Sequence, residues 1–204
     1  MKSILAAATA ALAFAASTPA AAATLVLFSN FDGISTPLLS SQGYDNVATA
    51  DGWTGGQFGI EIQNGVAGNA YSAFNLVELD TTTNSSMFVN LVAGHYTVSY
   101  YYSPRINQGA ATNGIDLSIG ATQLDSVTGN GGGSTVWQLR TVDFVTTGGA
   151  LTFAATGNAD GVGGYLDSIT ISEVPEPATW GLMIAGFAMT GFAARRRGQR
   201  NVAG

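Results

Sequence analysis

Two carboxylates, Glu78 and Asp80, stand two residues apart in the stretch NLVELD. In an extended strand, side chains at i and i+2 share a face roughly 7 Å apart. Glycoside hydrolysis needs two carboxyl groups about 5 to 10 Å apart across a sugar, one with a raised pKa, so this spacing is permissive. Such pairs also decorate solvated strands, and no recognisable catalytic motif surrounds this one. His95 is the single histidine. No Ser-His-Asp or Cys-His arrangement is signalled, and His95 reads as a surface strand residue. The expectation is a protein that is not an enzyme.

A second chemistry is sugar binding without turnover. Exposed aromatic faces meet the apolar side of pyranose rings, while Asn, Asp, Gln or Arg fix the hydroxyls. Tyr44 in QGYDN and Trp53 in DGWTGG have the loop-like surroundings in which function concentrates; for both, ligand contact and core packing stand open. In HYTVSYYY, strand alternation puts Tyr96, Val98, Tyr100 and Tyr102 on a core face, and His95, Thr97, Ser99 and Tyr101 on the wet or ligand-facing one. Arg105 follows Pro104 at the end of this strand. Trp137, within VWQLRTVDFVT, reads as core. The carbohydrate-binding candidates are therefore Tyr44, Trp53, Tyr101 and Arg105.

The elements that must position these residues are short. Apolar or alternating runs, separated by Gly/Asn/Thr/Asp clusters, recur throughout, and no 3.6-residue pattern is sustained, which predicts an all-β body. The runs are TLVLFSN, QFGIEIQN, AFNLVELD, SMFVNLV, HYTVSYYY, GIDLSIG, TQLDSV, VWQLRTVDFVT, ALTFAAT and GYLDSITIS. They suit an antiparallel jelly-roll sandwich, with turns at Ala93-Gly94, Asn113-Gly114 and Thr147-Gly148-Gly149 and a flexible tip at GNGGG, 129–133. In YLDSITI the same alternation puts Asp167 on the face of Ile169 and Ile171. An inward carboxylate there must accept hydrogen bonds or bind a cation. With one histidine and no cysteine, the ligand chemistry suits calcium alone.

Both ends differ from this body. MKSILAAATAALAFAASTPAAAA reads as a secretory signal peptide over 1–23, with cleavage before Thr24. Residues 24–173 form the sandwich domain, of a size for one core. They carry twelve acidic residues against Arg105 and Arg140, a net charge of −10 with no lysine. Such a charge excludes nucleic acid and anionic surfaces as partners, because phosphate binding needs clustered Lys or Arg. With no cysteine there is no disulfide framework.

In the tail, 174–204, Pro175-Glu176-Pro177 precedes Trp180, an uncharged span from Ala178 to Ala194, and Arg195, Arg196 and Arg197. Those 17 residues reach roughly 26 Å as a helix, a marginal transmembrane span, and the arginines orient it with the body outside. Motif, span and basic cluster together closely resemble the PEP-CTERM sorting signal. The resemblance implies export in a Gram-negative bacterium that makes exopolysaccharide. It also implies a precursor held transiently in the inner membrane, and processing by an exosortase before the protein reaches the surface or biofilm matrix. The two prolines would keep the substrate strand extended for the protease.

A looser resemblance runs from about Gly59 to Ser172. GIEIQNG, NLVELDTTTNSSM, HYTVSYYYSPR, NGIDLSIG, WQLRTVDF, ALTFAATG and GGYLDSITIS together are similar to the galactose-binding-like β-sandwich of bacterial surface and plant cell-wall-associated proteins. That resemblance implies a jelly roll whose relatives often bind polysaccharide, some with a structural Ca2+ between first and last strands. It places Asn30, Asp32 and Asp167 as the ligands, although SNFDG departs from the family's Asn-Gly-x-Phe-Glu pattern. The competing reading has Asp32 capping a turn with Gly33 and Asp167 accepting backbone hydrogen bonds. Two functions follow: a calcium-assisted module on extracellular polysaccharide, or a ligand-free structural matrix protein.

Overall fold

A computed structural model describes residues 22–34, 43–175, 181 and 183–191. The β-branched and aromatic runs of the body form eleven strands: β1 (Thr24–Ser29), β2 (Tyr44–Val47), β3 (Thr49–Ala50), β4 (Trp53–Gly55), β5 (Ile60–Gln63), β6 (Leu76–Glu78), β7 (Ser86–Ser103), β8 (Gly114–Ile119), β9 (Thr122–Val127), β10 (Gln138–Thr156) and β11 (Tyr165–Glu173). All pairings are antiparallel. The order β2-β5-β6-β11-β7-β10-β8-β9, with β1 on β11 and β4 on β7, makes one sheet that curls around a shared core.

Two expected turns are instead bends. SMFVNLV and HYTVSYYY run together as β7, VWQLRTVDFVT and ALTFAAT as β10, and Ala93 pairs with Thr147 and Gly94 with Thr146 in mid-ladder. The buried apolar and aromatic residues of β7 are odd-numbered before the bend (Met87, Leu91) and even-numbered after it (Tyr96, Val98, Tyr100, Tyr102). β10 switches in the opposite sense, from Phe144 to Leu151 and Phe153. A strand that turns a corner between two layers must change which side faces in. Gly148 and Gly149, at φ 103° and 142°, supply the conformations for the corner.

The core contains many phenols, and its tyrosine hydroxyls are matched. Tyr96 donates to the Val92 carbonyl (3.3 Å), Tyr102 to the Asn113 carbonyl (2.9 Å) and Tyr100 to the Asp125 carboxylate on β9 (2.9 Å). Each bond removes the cost of an unpaired polar group in the interior. Arg140 joins Asp125 from β10, which fastens β9 across the sandwich. The GNGGG segment packs rather than projecting freely: Gly131 N–H donates to the Gln108 carbonyl and Asn107 N–H to the Gly132 carbonyl.

The C-terminal unit is helical at 181 and 183–191, with Phe187 and Met189 exposed. Among the described residues no helix is long and apolar enough to cross a membrane. The signal-peptide expectation up to residue 21 lies outside the described residues, as do Glu176, Pro177, Trp180, Arg195, Arg196 and Arg197.

Candidate functional site

The site begins with a bulge. Asp167 pairs with Tyr101 and Thr170 with Ser99, so β11 carries an extra residue between them, and Ser168 takes a left-handed φ of 48°. An extra residue reverses the parity of a strand. Asp167 therefore lies on the outer face with Tyr101, while Ile169 and Ile171 face the core; the expected sharing of one face by all three is corrected here. Asp167 is nonetheless fully buried, because the segment joining β5 to β6 crosses above it.

That segment, 64–75, is held by side chains from β11, from the turn after β1 and from the approach to β10. One oxygen of Asp167 accepts the N–H groups of Tyr71 (2.8 Å) and Ser72 (2.9 Å), and the other accepts the hydroxyls of Ser72 and Ser168. Asp32 accepts the N–H groups of Phe74 and Asn75, both at 2.9 Å, and the Asn30 amide at 2.8 Å. Trp137 Nε1–H and the Thr135 hydroxyl both donate to the Asn69 carbonyl, and Tyr165 donates to Ala67. Asn30, Asp32 and Asp167 thus anchor a loop. The Asp32 oxygens and Asp167 Oδ2 face N–H hydrogens and Asp167 Oδ1 faces two hydroxyls, so as arranged the set is spent on hydrogen bonds rather than gathered around a cation. Burial pushes the Asp167 carboxyl upward against the pull of its donors.

Held in this way, Tyr71 lies flat on Tyr101, with ring centroids 3.5 Å apart and planes 16° from parallel. Trp137 meets Tyr71 edge-on at 6.3 Å and 69°. Tyr71 remains 47% exposed, and Leu139, directly opposite Tyr101 on β10, is also exposed. Three rings from a loop, a strand and the approach to β10 form one apolar platform. The amide contacts at Tyr71 and the indole contact of Trp137 fix it in place before any ligand arrives.

Among the four carbohydrate-binding candidates, Tyr101 lies in this platform. Arg105 lies deeper, only 14% exposed, paired with Glu78 and 5.8 Å from the Tyr165 ring centroid. Tyr44 is exposed on β2, separated from β7 by β5, β6 and β11, and does not join the platform. Trp53 belongs to the core. It is 0% exposed, donates its indole N–H to Ser29 Oγ (2.9 Å) and packs on Phe153. Trp137 is partly exposed rather than core, since the strand begins at Gln138, two residues later than the pattern suggests. Tyr71 was legible in principle, as an aromatic within the Gly/Asn-rich stretch NGVAGNAYSAF, the same signal that drew attention to Tyr44 and Trp53.

The carboxylates Glu78 and Asp80 are both fully buried and have separate partners. Glu78 accepts from Arg105 and Gln63, and Gln63 also donates to Glu61 (2.7 Å), which pairs with Glu78 across the sheet. Loss of hydration, opposed by Arg105, pushes the Glu78 carboxyl up to about 8. Burial raises Glu61 as well. Asp80 accepts the N–H groups of Asp160 (3.0 Å) and Gly161 (3.3 Å). His95 pairs with Val145 on the long ladder.

Solved structures with similar folds include the K2 and K1 cleaved adhesin domains of Lys-gingipain. The K2 domain is 19% identical at a TM-score of 0.47, and the K1 domain, from Porphyromonas gingivalis W83, is 16% identical at 0.46. Each match covers 71% of this chain and 96% of the other. A xylan-binding domain, CBM22-1 from Paenibacillus barcinonensis, is 14% identical at a TM-score of 0.46, over 76% of this chain and 97% of its own. No curated protein matches the sequence. At the C-terminal end, residues 173–197 match the family model of the PEP-CTERM protein-sorting motif.

Proposed function

We propose that this is an exported, exosortase-sorted protein whose β-sandwich binds extracellular polysaccharide without transforming it. The stacked pair Tyr71 and Tyr101, walled by Trp137, carries the reading. An ordered aromatic face matches the apolar side of a pyranose ring, and prior anchoring lowers the entropy lost on binding. The acidic body favours neutral over anionic chains. Domain limits of 1–23, 24–173 and 174–204 suit this course: a cleaved leader, a binding body, and a tail held in the inner membrane until an exosortase releases it. The exposed apolar side chains Phe187 and Met189 in the tail helix are of the kind a bilayer would cover. Asp32 and Asp167 organise the loop that carries Tyr71 through hydrogen bonds.

Electrophoresis of the purified protein through gels containing arabinoxylan, glucomannan or galactan tests this. Retardation by at least one neutral polysaccharide is expected, lost in Tyr71→Ala and Trp137→Ala and kept in Tyr44→Ala. Unretarded migration in every gel would overturn the reading and leave a ligand-free matrix protein.

A further inference from the structure

The turn after β6 and the loop before β11 bring together oxygens that lack partners. Asp80 and Asn84 close an antiparallel bridge around Thr81, Thr82 and Thr83, so their side chains leave the backbone on the same side. Asp80 is fully buried. Its Oδ2 accepts the N–H groups of Asp160 and Gly161, whereas Oδ1 has no hydrogen-bond partner among the described residues. Asn84 donates through Nδ2 to the Gly157 carbonyl at 3.1 Å, and its Oδ1 is equally buried and unpartnered. Asp160 is tied to Asp80 through its own N–H, and its carboxyl Oδ2 accepts the Thr112 hydroxyl at 3.0 Å.

Two buried acceptors without donors, beside a second carboxylate, are costly in a folded protein unless something positive joins them. Arg105 and Arg140, the only cationic side chains of the body, are engaged by Glu78 and Asp125. We infer that Asp80, Asn84 and Asp160 form a divalent-cation site, selective for Ca2+, that fastens the 157–161 loop to the 80–84 turn. The donor set is all hard oxygen: two carboxylates, an amide oxygen, and backbone carbonyls and water to complete six to eight ligands, which suits Ca2+ and not a softer metal. It is separate from Asn30, Asp32 and Asp167, which serve the 64–75 loop. It is also independent of the aromatic platform, so the polysaccharide reading and this one stand or fall separately.

Calorimetric titration of the purified full-length chain with CaCl2 at pH 8 tests the site. One equivalent should bind, with a higher unfolding midpoint in millimolar Ca2+. Asp160 is exposed, so Asp160→Asn leaves the core intact and should weaken binding roughly tenfold or more, because Ca2+ affinity follows ligand charge. Asn84→Asp, which adds a charge at the same position, should tighten it. Absence of binding by the wild type would overturn the inference. Binding unchanged by both substitutions, or abolished instead by Asp167→Asn, would overturn it too by placing the ion elsewhere.

Discussion

Replacing Glu78 by Gln should flatten the dependence of stability on pH. The carboxyl sits at about 8 in the folded protein, because its loss of hydration outweighs the attraction of Arg105. In the unfolded chain it returns to about 4.3. Between those values the folded state holds a proton that the unfolded state has released. Glu78 therefore contributes stability that is complete below about pH 4.3 and is lost as the pH rises through about 8. One proton corresponds to about 1.4 kcal/mol per pH unit, so the wild type should lose about 2 to 3 kcal/mol between pH 5.5 and 7.5. Glu61, Asp80 and Asp167, also raised by burial, act in the same sense. Glutamine keeps the shape and an acceptor for Arg105 but removes the titration, so its slope over that range should be about 1.4 kcal/mol per pH unit shallower. Urea unfolding at pH 5.5, 6.5 and 7.5, extrapolated linearly, reads the slope directly. A wild type that gains stability toward pH 7.5, or a variant with the parental slope, would refute the reasoning.

Trp53→Ala should cost about 3 to 5 kcal/mol in urea unfolding, through a core cavity and the lost indole bond to Ser29, while polysaccharide affinity per folded molecule stays unchanged. Asp167→Ala removes the acceptor of the Tyr71 and Ser72 amides, so hydrogen exchange at these two positions should accelerate well before global unfolding. Gly131→Ala should destabilise by about 1 to 3 kcal/mol, since a Cβ there would overlap the Arg105 carbonyl oxygen; thermal unfolding checks it.

The strand pattern was readable because its cause is local. Alternation of Tyr96, Val98, Tyr100 and Tyr102 records which face meets the core, and the structure buries all four. Alternation fails where one residue is added: nothing in LDSIT announces the bulge at Ser168, and the parity reversal there carried Asp167 to the other face. Glycines announce a departure from regular strand but not its kind, so Gly94 and Gly148 mark a corner inside two long strands rather than chain reversal. The aromatic signal was imprecise in place. Trp53 and Tyr71 both sit among glycines, and only long-range contacts, to Phe153 for one and Tyr101 for the other, decide which is core and which is surface. Asp167 was picked out as an inward acid and Asp32 through the resemblance, yet the loop amides they hold come from 42 to 96 residues away in sequence, a pairing that no spacing rule reveals.

The most direct measurement on the proposed binding face is a nitrogen-15 titration that follows the indole signals of Trp53 and Trp137 as neutral xylo-, manno- and galacto-oligosaccharides are added. The platform formed by Tyr71, Tyr101 and Trp137 predicts a saturable shift of the Trp137 signal with at least one of these sugars, while Trp53, sealed in the core, stays in place. A Trp137 signal unmoved by every sugar, or a shift confined to Trp53, would contradict it.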